Sequence, residues 1–118
     1  LRESLRIHHE LGDRWRMTSV LDALAATDLA RGDALPAVRL LAAATTLREE
    51  IGTPVPPVER QDRERSEAHA RAALGLKRYD GAWRAGSAEV PRDVVRAVLA
   101  EEPPPPPPDT PRLRLIAL

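Results

Sequence analysis

Two Gly-Asp pairs, Gly12-Asp13 and Gly32-Asp33, bracket a stretch whose apolar residues recur at helical spacing. Glycine takes the left-handed conformation that stops a helix, and aspartate can accept from the free N–H groups that start the next. Between the pairs, Met17, Val20, Leu21, Leu24 and Ala25 fall on one face of a helix expected over 14–31. Before them, 1–11 reads as a helix with Leu1, Leu5 and Leu11 as its apolar positions. After them, 35–51 carries a seam of Leu40, Ala44, Leu47 and Ile51, widened by Ala37, Val38 and Leu41. So broad an apolar surface predicts a helix packed between neighbours on two sides, and Pro36 fits its first turn.

Thr53 to Pro57 form a stiff break. A charged helix over 58–74 follows, closed by Gly75, with Glu59/Arg63, Arg60/Glu64, Arg63/Glu67 and Glu67/Arg71 spaced four apart. Its alternating signs predict a solvated face, and its buried strip reads as Ala68, Ala72 and Leu74. A short helix at 76–85 carries Tyr79 and Trp83, the apolar anchor of a small helical cap or else an exposed hot spot. Pro91 opens a last helix with Val94, Val95, Val98 and Leu99. The six prolines at 103–108 span roughly 19 Å as a polyproline II spacer, a plain linker rather than a ligand for a proline-reading domain. Residues 112–118 partly alternate, as the start of a strand would. The chain therefore divides into helical repeats at 1–52, a helical cap at 53–102, a proline-rich linker at 103–111 and a tail or following domain at 112–118.

Composition narrows the function. Cysteine is absent, which removes disulfides and thiolate metal sites. Phenylalanine is absent and aromatics are 3% of the chain, so the core must come from Leu, Val and Ala. That suits helices approaching to roughly 8 Å and does not suit a β-sandwich. Eighteen basic residues balance eighteen acidic ones, which leaves no electrostatic footprint for nucleic acid over 1–102 or for an anionic membrane. The longest uncharged apolar run, 40–47, is far short of the ~20 residues a membrane span requires. A soluble, cytoplasmic location is expected. The chain opens on Leu1, in mid-helix, as a segment of a longer protein would.

Candidate chemistry is sparse. His8 and His9 point to different sides of a helix and cannot share a metal, and His69 stands alone on a charged helix. The six glycines form no phosphate-cradling loop. No Ser/His/Asp arrangement or paired carboxylate lies in an apolar setting. No catalytic, cofactor-binding or metal-binding residue is expected.

Residues 21–44 resemble the tetratricopeptide repeat, a helix pair of ~34 residues with large and small side chains at fixed places. Leu21, Leu24 and Ala25 match its first helix, Gly32 its turn, and Ala37, Leu41 and Ala44 its second helix. The resemblance implies an all-α, solenoid-like stack of antiparallel helix pairs, with those seven residues as its packing positions. Asp28 stands where the repeat usually has Tyr or another large residue, and the repeat's closing proline is absent. Asp28 is thereby a candidate groove contact for a partner's cation or amide, or else an acid near a helix end, paired with an arginine or partly solvated. Trp15 either lines that groove or faces a preceding repeat.

A longer resemblance covers about 1–102. The stretch Leu40-Leu-Ala-Ala-Ala-Thr-Thr-Leu-Arg-Glu-Glu-Ile51, then Gly-Thr-Pro-Val-Pro-Pro-Val-Glu-Arg60, looks like the end of the helical-repeat region in large bacterial regulators. So do Ala72-Ala-Leu-Gly75, Tyr79, Trp83, Gly86 and the valine-rich last helix. Those regulators join a STAND-type ATPase, tetratricopeptide repeats and a DNA-binding module; they include LuxR-type (MalT-like) proteins and relatives of the Streptomyces antibiotic regulatory proteins. Similar tails accompany adenylate cyclase and kinase modules. Residues 111–118 are similar to the first strand of the winged-helix domain in antibiotic regulatory proteins. Arg63 and Glu67 depart from the pattern, where an aromatic or aliphatic residue is more usual, which predicts a looser helix there. The resemblance implies a non-catalytic regulatory segment whose partner is a protein or another domain of the same chain, with any ATP bound in an upstream domain. The alternatives are a stand-alone interaction module and the regulatory tail of a signalling enzyme.

Overall fold

The computed structural model describes residues 1–101; the proline run and the 112–118 segment, with their expected linker and strand, lie outside the described residues. Six helices follow one another among those residues, with no strand: α1 (Arg2–Leu11), α2 (Arg14–Ala30), α3 (Ala34–Ile51), α4 (Pro57–Leu74), α5 (Leu76–Ala88) and α6 (Pro91–Ala100). The glycine breaks act as expected. Gly12 and Gly32 sit at φ 69° and 85°, where a side chain would be strained. Asp13 caps α2 by accepting from the Arg16 N–H at 3.1 Å. Asp33 holds the equivalent place before α3, but its side chain makes no capping bond. There the backbone closes the turn, the Asp33 N–H donating to the Asp28 carbonyl at 2.8 Å.

α3 is the hub. It packs against α2, α4, α5 and α6. Ten of its eighteen residues are buried, against three of eighteen in α4. The expected seam and its widening are filled except at the end: Ala37, Val38, Leu41 and Ala44 are fully buried, Leu40 and Leu47 nearly so, and Ile51 is half-buried against the cluster. Only small residues allow a helix to be covered on so many sides, because each close crossing leaves no room for a long side chain. The crossing with α5 is close. A Cβ on Gly86 would lie 2.9 Å from the Ala42 Cβ and 3.3 Å from the Arg39 Cα.

α1 is attached more thinly. Leu5 enters the core, whereas Leu1 and Leu11, also expected to, are 55% and 74% exposed. α1 rests on α2 and α6. Arg2 fastens it to the far end of the chain: its Nη1 donates to the Val98 carbonyl at 2.8 Å and its Nη2 to Glu101 Oε2 at 2.7 Å. One apolar cluster runs from Leu5 through Ala70 and Tyr79 to Val98, so 1–52 and 53–101 share a core.

The inward strip of α4 is not the expected one. Ala68 and Ala72 are exposed, and Leu74 is half-buried against the cluster. Arg63, Ser66 and Ala70 face inward instead. They share one face at the same helical spacing, so the period was right and the phase wrong. The apolar residues of α4 are too few to set that phase, and Arg63 sets it by reaching polar partners on α2 and α3.

The crossing at Gly86 is testable against a second glycine in the same helix. We expect Gly86→Ala to lower unfolding stability by about 1–3 kcal/mol through overpacking. Gly81→Ala has nothing within 4 Å of its added Cβ, and we expect it to raise stability by roughly 0.5–1 kcal/mol through helix propensity. Urea unfolding followed by circular dichroism measures both, and equal effects of the two substitutions would remove the close-crossing account.

Candidate functional site

The strongest departure from the expected solvated surface is a buried polar cluster where α2, α3 and α4 meet. Arg63 is 6% exposed. Its Nη1 donates to Asp22 Oδ1 at 2.6 Å, its Nε to Glu67 Oε1 at 3.0 Å and its Nη2 to the Leu41 carbonyl at 2.9 Å. Nη2 also donates to the Thr45 hydroxyl. The guanidinium lies 5.9 Å from the centre of the Trp83 ring, within cation–π range. One side chain of α4 is thus bound to α2, to α3, to its own helix and to the aromatic pair of α5. Tyr79 and Trp83 stack at 6.0 Å with planes 23° apart, and Tyr79 is buried, as expected of an anchor.

The second guanidinium is less well served. Arg48 is 5% exposed, and its Nη1 lies 2.7 Å from Asp22 Oδ2. The contact is out of line for a hydrogen bond, so Asp22 Oδ2 and all three Arg48 nitrogens lack hydrogen-bond partners. Asp22 therefore stands between two buried cations, joined to one by a hydrogen bond and to the other by charge alone. Burial pushes its carboxyl up from the usual carboxylate range, and the Arg63 and Arg48 charges oppose that rise. Two arginines and two carboxylates (Asp22 and Glu67) leave the cluster neutral. It fixes α4 in place and holds no free base or nucleophile for chemistry of its own.

Above the cluster, α2 and α4 flank a groove of about 460 Å³ whose lining includes Ser19, Asp22, Ala26, Glu59, Asp62 and Arg63. The Ser19 hydroxyl donates to Glu59 Oε2 at 3.0 Å across it. Its charges are already engaged, since Asp62 also meets Arg65 at 3.7 Å.

Asp28 lies elsewhere, on a cavity of about 430 Å³ that also touches Arg2, Arg31, Asp33, Arg39 and Glu101. It is half-buried, and burial first, then the Asp33 charge, raises its carboxyl above the usual range. Among the described residues it forms no ion pair. Of the packing positions taken from the repeat, Leu21, Ala25, Ala37, Leu41 and Ala44 are fully buried, and Leu24 is half-buried. Gly32 is exposed at its turn. Of these seven, Leu41 joins the Arg63 cluster, through its carbonyl. Across the bundle, Arg39 grips Glu89 with two bonds of 2.7 Å, tying α3 to the turn between α5 and α6.

His8 and His9 are half-buried and His69 is exposed. Among the described residues, no group of three or more His, Cys, Asp or Glu could hold a metal ion. No helix there is long and apolar enough to cross a membrane. No protein-family model, curated protein or solved structure matches the chain.

Sequence reasoning missed the cluster, although a signal was present. Asp22 is the one charge between Arg16 and Asp28, set beside Leu21 in an otherwise uncharged stretch. Such a residue needs a buried counter-charge, and Arg48 and Arg63 supply it.

Two outcomes follow from this geometry. Asp22→Ala strands two buried guanidiniums, and we expect it to cost about 3–5 kcal/mol in chemical denaturation. The combination Asp22→Leu, Arg48→Met, Arg63→Met should restore most of that loss, because apolar replacement removes the stranded charges with their partner. A cost below ~1 kcal/mol for Asp22→Ala alone would show that the cluster does not hold α4. The Arg39–Glu89 pair gives a pH dependence. Its hydrogen bonds hold the Glu89 carboxyl below the usual range, so its stabilisation is present at neutral pH and is lost as pH falls through that lowered value. Both side chains are more than a third exposed, 39% and 37%, which limits the contribution to about 1 kcal/mol or less. The stability gap between the wild type and Glu89→Gln should therefore close in acid and shrink in high salt, as read from urea midpoints.

Proposed function

We propose that this chain is a non-catalytic helical-repeat segment that serves as an interaction and regulatory scaffold within a multidomain bacterial transcriptional regulator. One observation carries the reading: an unfilled packing face at the N-terminal edge. Ile7 and Leu11, four apart on α1, are 45% and 74% exposed, and Trp15 at the start of α2 is 54% exposed. α1 buries Leu5 alone among its ten residues. A helix with one side on the stack and large apolar side chains on the other is what a repeat presents to the repeat before it. The short glycine turns and the buried small residues at the α2–α3 contact support pairing of the tetratricopeptide kind. The return of α6 onto α1 and α3 supports reading this as the closing end of such a stack rather than its middle. Upstream ATP binding and a DNA reader beyond the proline run belong to the same proposal, with the cytoplasm as its setting. The second reading, a stand-alone interaction module, would have to cover the same edge with a separate protein, and a cyclase or kinase tail would differ only in its neighbours.

The test reads the coding DNA in frame on both sides and then expresses the longer chain. An ATPase upstream, or a winged-helix or helix-turn-helix module on either side, is expected. In a Trp83→Phe background, Trp15 emission should shift to the blue when the preceding segment is present. A start codon immediately before Leu1 with a stop after Leu118 would overturn the regulator reading, and unshifted Trp15 emission in a longer chain would overturn the continuing stack.

A further inference from the structure

α1 is seated through one buried residue, Leu5, and it touches α2 and α6 but not the hub α3. Its other ties are polar. Arg2 bonds to Val98 and Glu101, and His8 Nδ1 lies 3.6 Å from Asp13 Oδ2. Solvent competes for the Arg2–Glu101 pair, whose side chains are 36% and 58% exposed. Open space borders the helix at three places. Leu1 edges the groove beside α4, Arg2 the cavity beside Asp28, and His9 and Gly12 a third cavity of about 570 Å³.

The connection to α2 is two residues long, Gly12 and Asp13. Gly12 is left-handed at φ 69°, and a Cβ on it would meet nothing within 4 Å. The turn is closed by backbone bonds, from the Gly12 N–H to the His9 carbonyl and from the Asp13 N–H to the His8 carbonyl. Rotation of these two residues into the right-handed helical region would make α1 and α2 one helix over 2–30. Leu11 and Trp15 flank this turn and are 74% and 54% exposed, with Ile7 at 45% one turn before. Folded back, they belong to two helices and share no face. In a continuous helix they stand four apart on one face. Straightened, however, α1 cannot reach its own seat, and that seat stands empty.

We propose that α1 exchanges between two copies of this chain: Gly12 straightens, α1 continues α2, and its Leu5 and Arg2 seat on α2 and α6 of the second copy. The contacts that α1 makes within one chain re-form between two. Exchange therefore needs no new interface of the ~800 Å² per partner that separately folded proteins bury. What changes is the hinge, and the apolar stripes of Ile7, Leu11 and Trp15, which meet where the two straightened helices cross. A patch too small to hold an ordinary dimer is enough to tip an exchange. The inference does not rest on the regulator reading. A preceding repeat would compete for the same edge, so exchange is read on this chain and the repeat on the longer one.

Arg2 and Glu101 supply the test, because exchange moves their pairing from within a chain to between chains. Arg2→Glu sets two acids together at the seat, and Glu101→Arg sets two bases together. Neither variant is repaired by exchange with its own kind. Mixed, each repairs the other: the exchanged heterodimer restores both opposite-charge pairs, and the folded-back monomers restore neither. In sedimentation equilibrium at low salt, with one variant fluorescently labelled, we expect the mixture to associate roughly tenfold more tightly than either variant alone. Gly12→Ala acts on the hinge alone, since its methyl clashes with nothing yet is strained in the left-handed conformation. It should strengthen dimerisation of the otherwise unaltered chain by roughly tenfold per hinge. Two glycines inserted between Gly12 and Asp13 should abolish the dimer, because a longer connection lets α1 return to its own seat. Leu11→Ser with Trp15→Ser should weaken it, and circular dichroism melts establish that every variant is folded. A Gly12→Ala chain that sediments as a monomer throughout, a dimer indifferent to the inserted glycines, or a charge-reversed mixture without heterodimer would each overturn the proposal.

Discussion

Everything in this structure depends on the burial of α3. A helix contacted on several sides has no face on which to place large side chains, so its sequence must alternate leucine and valine with alanine. The run from Ala37 to Leu47 mixes them on its buried positions, and Ala42, Ala43 and Ala44 are fully buried in succession. Three consecutive helical residues point across most of a turn, so their joint burial shows that neighbours surround α3 widely. The partner surfaces answer in kind. α5 brings Gly86 to a close approach, and α4 brings Ala70.

The buried ionic cluster completes what α3 cannot do by apolar packing alone. α4 has few apolar residues to offer, and hydrophobic burial could not choose its phase. Arg63 chooses it instead, because a guanidinium satisfied by Asp22, Leu41, Thr45 and Glu67 has one productive position. Directional bonds specify, whereas apolar contact mostly stabilises. The cost appears at Arg48, whose nitrogens have the Asp22 charge beside them and no aligned acceptor. A buried ion pair of this kind is weak evidence for net stability and better evidence for a unique arrangement of helices.

How much of this could be read from the sequence follows the same division. Helix number, order and nearly every boundary were legible, because glycine and proline punctuate the chain and apolar residues keep a 3.6 period between them. The broad face of α3 was legible as burial on several sides. The fate of α4 was not. Its charges satisfy the spacing rule for exposed pairs as well as they satisfy a buried network, and periodicity weighs apolar residues while passing over an arginine with partners. The expected looseness at Arg63 and Glu67 came from that blind spot: the departure from an aromatic or aliphatic residue is filled by a guanidinium with its own set of acceptors. Leu1 and Leu11 failed in the opposite sense, being apolar and in phase yet exposed.

Those two failures point to one division of labour in the chain. Interior contacts are concentrated on α3 and on the helices that touch it, while the edge formed by α1 and the start of α2 keeps large apolar groups in solvent. Stability is not uniform in such an arrangement. α1 is held by Leu5 and by the Arg2 bonds to Val98 and Glu101, both of which are lost together if the helix swings away. α3 cannot move without dismantling the core. An interaction surface placed on α1 thus sits on the element that can yield to a partner, over a scaffold that cannot. The same contact joins the first and last helices of the described residues, because Arg2 bonds to Val98 in α6 and to Glu101 just after it.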